Sequence, residues 1–453
     1  MSETVNIREL ALLALLEMQE EGRQSHRVIR SVLDKYQYLP KQDRAFFSRL
    51  CQGTLEYRPQ LDYILNQYSS VKTTKMKPVI REILRMAVYQ LYHMDQVPES
   101  AAVNEAVKLA VKKGFRSLKG FVNGVLRTVI REKKTLKFPG EEQPLLYLEV
   151  CGCMPEYLAK KWMDAYGFET AVKICSAFLE EKPITVRLRD HGDPLKRKTI
   201  LEELKDSGIA VQAAPYMEQA VILKHVNSLA YLPAFYEGRL QVQDVSSMLA
   251  VECAGITPGQ TILDLCAAPG GKSIAAADAA GEAGRVIARD LTEYKTELIR
   301  QNLHRCGIGN VTVEAKDAAV MDPGLEGRMD VVLADVPCSG YGVIGRKPDI
   351  KYRASRENQQ ELVQLQRAIL KNAAACVRPG GVLLFSTCTI AAEENEENVR
   401  FIREELDLMP ESLDPWLPEE LRGTTTAEGY LQLLPDVHAG DGFFIARFRK
   451  RTV

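Results

Sequence analysis

Apolar residues recur at helical spacing through most of the first 135 positions. The stretch Val5-Asn-Ile-Arg-Glu-Leu-Ala-Leu-Leu-Ala-Leu-Leu-Glu-Met18 carries one such stripe, and similar stripes over Asp43–Leu55, Lys77–Tyr92 and Ser100–Val111 predict further helices. Pro40, Pro59 and Pro98 punctuate them. An all-α domain is expected here, bounded at 1–140, with Lys137–Pro144 as a turn-rich linker. The pattern then changes. Helices over Glu156–Tyr166 and Thr170–Leu179 precede an alternating strand, Ile184–Arg189, an amphipathic helix at Leu195–Ser207 and short strands near Ile209–Gln212 and Ala220–Leu223. That mixture predicts a small α+β module spanning 141–237. From Gly238 onward strand and helix alternate. Strands are expected at 261–265, 285–289, 311–315, 330–334, 381–386 and 442–448, and helices at Gly271–Ala280, Lys295–Cys306 and Glu357–Cys376. The alternation predicts a doubly wound α/β (Rossmann-like) domain over 238–453 with right-handed crossovers.

Two cysteines follow buried-strand patterns in this last region. Cys338 lies in Asp335-Val-Pro-Cys-Ser-Gly340 after Met329–Ala334, and Cys388 lies in Ser386-Thr-Cys-Thr389 after Gly381–Phe385. A single cysteine near a strand end is usually a small buried hydrophobe. Two of them, each in a polar turn at the ligand-facing end of a neighbouring strand, point instead to chemistry that makes and breaks a bond to sulfur. A glycine-rich turn opens the region: Asp264-Leu-Cys-Ala-Ala-Pro-Gly-Gly-Lys272 follows a strand and starts a helix. Cys266, Ala267, Ala268, Pro269, Gly270, Gly271 and Lys272 therefore line a close-approach backbone turn. It matches neither the dinucleotide fingerprint nor the phosphate-loop pattern, so a methionine-bearing nucleoside suits it better than NAD or ATP. Asp290 ends the next strand, where a carboxylate can accept from both ribose hydroxyls, and Asp317 ends the one after, placed for an adenine amino group. Asp335 adds a third acidic strand end. S-adenosylmethionine is the expected cofactor.

Charge sharpens the picture of the first domain. The chain of 453 residues has a net charge of -1, but residues 1–150 hold 24 Lys/Arg against 17 Asp/Glu. The basic positions concentrate between Lys108 and Lys137 (Lys112, Lys113, Arg116, Lys119, Arg127, Arg131, Lys133 and Lys134), with Phe115 and Phe121 interleaved and a short turn or helix start expected at Asn123-Gly124. A solvated helical face explains any one of these lysines; the group as a whole favours phosphate contacts with RNA.

The motifs together resemble the RNA cytosine-C5 methyltransferases. Asp264–Lys272, Asp-Val-Pro-Cys-Ser-Gly-Tyr-Gly342 and Ser-Thr-Cys-Thr389 carry the likeness. Val242-Gln-Asp-Val-Ser-Ser247 and His438-Ala-Gly-Asp-Gly-Phe-Phe-Ile445 extend it across about 155–453. Residues 1–135 are similar to the NusB-type RNA-binding domain, and the pairing resembles the bacterial small-subunit rRNA enzymes of the RsmB/Sun type. The resemblance implies transfer of a methyl group to carbon 5 of a cytosine in 16S rRNA, as naked RNA or in a small-subunit assembly intermediate. It also implies Cys388 as nucleophile at carbon 6, Cys338 as an aid to product release, Asp335 against the pyrimidine, and Lys272 near either the base or Asp335. Val336, Thr389, Lys295 and Tyr352 depart from the residues most frequent in that family, but no reacting group is lost. A DNA cytosine methyltransferase would use the same chemistry through Cys338, and a non-catalytic RNA-binding protein would tolerate loss of Cys388, Asp335 or the glycine turn.

The ten cysteines are too sparse for a disulfide scaffold and form no zinc pattern, so free thiols and no metal are expected. The start of the chain is too polar for a signal peptide, and no apolar run approaches the ~18 residues that span a bilayer. A cytoplasmic monomer without a membrane partner is expected.

Overall fold

The computed structural model describes residues 5–20, 23–226 and 228–452. It divides into two compact units. The first holds the chain up to Glu180 together with a short segment, Ile344–Ala354, from much further along; the second holds Glu181–Val343 and the chain from Ser355 onward.

The first unit is helical: α1 (Ile7–Glu20), α2 (Ser25–Lys35), α3 (Lys41–Glu56), α4 (Arg58–Tyr68), α5 (Pro78–His93), α6 (Glu99–Lys112), α7 (Lys119–Glu132), α8 (Pro144–Val150), α9 (Glu156–Tyr166) and α10 (Phe168–Leu179). The expected helices are present, and the prolines sit where a missing N–H costs least, at the first turns or N-caps of α3, α4 and α6. Helix α5 is the centre of the bundle and buries residues on every face from Ile80 to Leu91. Its buried Arg85 is satisfied by Glu82 at 2.5 Å and by Asp62 at 2.5 Å, a charge that the interior tolerates only with both partners present. Gly53 of α3 faces Tyr89, and any Cβ there would fall 1.9 Å from the Tyr89 ring. Asn123-Gly124, expected as a turn or helix start, instead lies inside α7, where Val122, Val125, Leu126 and Val129 supply a buried stripe that overrides the local turn preference.

The segment 344–354 is built into this bundle. Lys351 is buried and donates to the carbonyls of Glu56 (2.6 Å) and Cys153 (2.7 Å), and the Tyr352 hydroxyl donates to Leu55 O (2.6 Å). Glu56 ends α3, so the cation meets a carbonyl at the negative end of that helix. Burial pulls Lys351 down to about 8. Arg58 lies over the Tyr352 ring at 4.1 Å.

The second unit carries two sheets. Strands β1 (Ile184–Leu188), β2 (Ala210–Ala213), β3 (Ala220–Lys224) and β4 (Leu240–Val242) form a small antiparallel sheet in the order β2-β3-β1-β4, accompanied by α11 (Pro194–Asp206) and α12 (Pro233–Tyr236). The larger sheet holds β5 (Thr261–Asp264), β6 (Arg285–Asp290), β7 (Val311–Ala315), β8 (Met329–Asp335), β9 (Val377–Thr387), β10 (Leu408–Pro410), β11 (Tyr430–Leu433) and β12 (Phe443–Lys450). Its order is β10-β12-β9-β8-β5-β6-β7, with β11 on β12. Strands β9, β8, β5, β6 and β7 are parallel; β12 runs antiparallel to β9. The helices around them include α13 (Val245–Cys253), α14 (Gly271–Ala280), α15 (Glu293–Arg305), α16 (Arg356–Cys376) and α17 (Glu396–Glu405). Arg187 and Arg189 of β1 reach Asp278 of α14 at 2.8 and 2.7 Å, which ties the small sheet to the larger one. Burial works against the Asp278 charge, but the two guanidinium groups hold it below the usual carboxylate range.

Candidate functional site

Strand order decides what meets at the carboxyl edge of the large sheet. The first strand, β5, lies between β8 and β6, so the chain turns away in opposite directions on its two sides. This is the switch point at which doubly wound sheets open a ligand crevice. One side presents the strand ends of β8 and β9 with their cysteines; the other presents those of β6 and β7 with Asp290 and Asp317.

On the cysteine side, Asp335 ends β8 opposite Ser386 of β9. Ser386 Oγ donates to Asp335 Oδ1 at 2.8 Å, and Lys272 Nζ donates to Oδ2 at 2.7 Å. Burial disfavours the Lys272 ammonium, yet the Asp335 carboxylate more than offsets this and holds it above its ordinary range. The ammonium also lies 5.3 Å from the centre of the Phe443 ring. Of the two positions the sequence allowed for Lys272, the structure shows the one beside Asp335. Beyond these strand ends the two loops converge: Cys338 Sγ and Cys388 Sγ are 3.3 Å apart. The hydrogen bond to Cys388, then burial, push the Cys338 thiol well above its ordinary value.

The loops are also joined through their backbones. Val336 N donates to Ser386 O at 3.1 Å and Gly342 N to Cys388 O at 3.0 Å. Gly442 N donates in turn to Gly342 O, and a Cβ on Gly342 would fall 2.0 Å from Gly442 O. That contact explains His438–Ile445, which the sequence singled out without a role: its glycine lets β12 press against the cysteine loop, and its Phe443 lies beside Lys272.

On the other side, residues 266–270 wrap over the end of β5. Ala267 N donates to Arg289 O (2.8 Å) and Ala268 N to Asp290 Oδ2 (3.0 Å). Gly270, at φ 105°, caps α14 in a conformation that side chains resist. Asp290 is almost fully buried; its other oxygen meets Leu291 N and Lys295 Nζ, both at 2.8 Å. Asp317 is exposed beyond β7 and accepts from Ala319 N. Cys266 is shielded by the turn, and burial raises its thiol. Among the described residues, two buried acceptors near this turn have no hydrogen-bond partner: Asp264 Oδ1 and Gln243 Oε1. Burial drives the Asp264 carboxyl up to about 7. Gln243 belongs to the 242–247 motif, and its side chain lies 3.9 Å from where a Cβ of Gly271 would stand. Sequence reasoning noted the motif but assigned no role to Gln243.

This arrangement, a doubly wound sheet with a glycine turn on one side of the switch point and paired thiols on the other, is that of a nucleoside-cofactor methyltransferase. Comparison with known proteins carries the class further. The model described as 16S rRNA methyltransferase RsmB/F matches residues 254–449, the NusB family model matches 5–131, and a ferredoxin-like domain of RsmF/B-like methyltransferases matches 154–229. The chain is 37% identical to a probable ribosomal RNA small subunit methyltransferase B of Bacillus subtilis, over 98% of this chain and 99% of that one. It is 32% identical to the ribosomal RNA small subunit methyltransferase B of Cronobacter sakazakii over the full length of both. Among solved structures, PH0851 shares the fold with a TM-score of 0.80 over 99% of each chain at 24% identity. The chain belongs to the RsmB/F family of 16S rRNA methyltransferases. Among the described residues no helix is long and apolar enough to cross a membrane.

Proposed function

We propose that this protein methylates carbon 5 of a cytosine in 16S rRNA, with S-adenosylmethionine as donor and Cys388 as the covalent nucleophile. The observation that carries this reading is the 3.3 Å approach of Cys338 and Cys388 beside the Lys272–Asp335 pair, at the ends of adjacent parallel strands. When bound, S-adenosylmethionine supplies an electrophilic methyl group. Residues 266–271 would approach it with backbone, Asp290 would accept from its ribose, Asp317 would face its adenine, and the unpaired acceptors of Asp264 and Gln243 suit a ligand rich in N–H and O–H donors.

The base needs activation because carbon 5 of cytosine is a poor nucleophile. Addition of the Cys388 thiolate to carbon 6 turns carbons 4 and 5 into an enamine. Asp335, fixed by Lys272 and Ser386, is placed to hydrogen-bond the ring at N3 and N4 and to assist its protonation. After methylation, a base takes the carbon 5 proton, the C–S bond breaks, and its electrons return Cys388 to a thiolate. Cys338 suits this step for an electrostatic reason. Before reaction its deprotonation is opposed first by the hydrogen bond to Cys388 and also by that group's charge. Once Cys388 is alkylated it carries no charge, so the opposition falls when a base is required. Radiolabelled methyl transfer from S-adenosylmethionine to unmethylated 16S rRNA, followed by bisulfite sequencing, tests the reading; methyl transfer that leaves no cytosine newly resistant to bisulfite conversion overturns it.

The positive charge of the helical unit supplies affinity for RNA by contacting phosphates, and the second unit supplies chemistry. Lys112 and Lys113 pair with Glu9 at 2.6 and 2.7 Å, so they contribute less than the bare sequence suggests. Binding measured at several salt concentrations should weaken steadily, with a slope of about -0.7 per phosphate contact on single-stranded RNA. The substrate is naked 16S rRNA or an assembly intermediate of the small subunit, met by a cytoplasmic monomer.

Asp290→Ala should weaken S-adenosylmethionine binding by roughly tenfold or more while RNA affinity holds, because ribose hydroxyls lose an acceptor and Ala268 N loses its anchor. Calorimetry on the folded variant showing unchanged cofactor affinity would remove Asp290 from the site.

A further inference from the structure

A buried polar cluster lies behind the two cysteine loops, and the chemistry described above does not use it. Its centre is Glu394, fully buried in the turn that leads from the Cys388 loop into α17. Glu394 Oε2 accepts from the backbone N–H of Ser339, the residue after Cys338, at 2.9 Å. The same oxygen accepts from Gln366 Nε2 at 2.9 Å, and Gln359 Nε2 reaches Oε1 at 3.3 Å. Gln366, also fully buried, donates to Pro337 O at 2.9 Å, so it grips the residue before Cys338. Asn398 holds Gln366 in turn, donating to Gln366 Oε1 at 2.8 Å. The peptide groups on both flanks of one thiol are thus held by two side chains that never reach the crevice. The other cysteine joins the same frame: Ser339 Oγ and Thr389 Oγ1 are 2.7 Å apart, and Asn395 donates to Thr389 O at 3.0 Å.

The cost of this arrangement argues that it does more than fill space. A buried carboxylate is unfavourable unless its hydrogen bonds are complete, and an apolar cluster of the same volume would be at least as stable. Here the carboxylate is spent on a backbone N–H adjoining a reacting residue. We propose that Glu394 is a positioning residue for the proposed reaction: with Gln366 it clamps the Pro337–Ser339 backbone and so sets the Cys338 thiol where product release requires it. The proposal rests on the cysteine roles given above. Its negative charge also opposes ionisation of Cys338, in keeping with a group that stays a thiol until the adduct has formed.

Loss of the clamp should slow release more than attack. Glu394→Gln keeps the volume and removes the charge. It should lower kcat about 10- to 100-fold, the effect of a misplacement near 1 Å, and lower KM for rRNA in step, so that kcat/KM and affinity for S-adenosylmethionine stay within about twofold. Under denaturing conditions it should accumulate an RNA-linked protein band that the wild type does not, as a weaker version of Cys338→Ala. Gln366→Leu, which removes the donors to Pro337 and Glu394 from the helix side, should do the same. A merely structural role would lower turnover and adduct in parallel, and that result, or wild-type turnover in both variants, overturns the proposal. So does failure of both variants to fold, judged by melting and cofactor binding, since the cluster would then be scaffold. If Cys338→Ala itself gives no band, the cysteine roles fail first and the Glu394 inference falls with them. A band in Cys338→Ala but none in either clamp variant rejects Glu394 alone.

Discussion

Cys388→Ala is expected to lose methyl transfer by about 10⁴-fold or more, with S-adenosylmethionine affinity and melting temperature almost unchanged. The size follows from the chemistry: without a nucleophile at carbon 6, carbon 5 has no route to nucleophilic character. The structural effect is small because the side chain is half-buried in a loop held by other groups, and removal of one sulfur leaves the Gly342 N to Cys388 O bond intact. Methyl incorporation, calorimetry and a melting curve on one preparation check all three parts. Retention of more than a few per cent of activity would remove Cys388 from the reaction.

The second large effect concerns Asp335 and Lys272. Asp335→Ala should abolish activity, and it should also destabilise the fold by roughly 2 kcal/mol, because it strands the Lys272 ammonium inside the protein. The figure is lower than for a fully enclosed pair because the Asp335 side chain keeps 28% of its exposure. Combining Lys272→Met with Asp335→Leu should recover most of the stability and none of the activity. Denaturant titration of Lys272→Met, Asp335→Leu and the double variant measures this directly. Equal destabilisation in the single and double variants would mean that packing, not charge, dominates.

Much of the architecture was legible in the sequence because its signals are local. The strand–turn–helix pattern over 261–280 placed the glycine turn, and hydrophobic runs ending at Ala334 and Phe385 placed both cysteines just beyond strand ends. What was not legible depends on contacts between distant residues. The segment 344–354 follows the Cys338 loop in sequence yet belongs to the helical unit, through Lys351 and Tyr352 meeting the end of α3. No periodicity in those eleven positions announces a partner some 300 residues earlier. Strand β12 looked like one more strand, and only its pairing with β9 reveals the antiparallel direction. Glu394 and Gln366 carried no role in the sequence reading. Their burial arises because α16 and the turn before α17 enclose them behind the cysteine loops, which a one-dimensional pattern does not record.

The central claim is covalent catalysis in which the two thiols have different duties. A denaturing gel of each variant incubated with S-adenosylmethionine and unmethylated 16S rRNA tests it most directly. An RNA-linked band should appear with Cys338→Ala, which attacks and transfers but cannot release, and should be absent with Cys388→Ala, which cannot attack. A band in Cys388→Ala and none in Cys338→Ala would exchange the two roles, and no band in either variant, with methylation retained, would contradict the covalent mechanism itself.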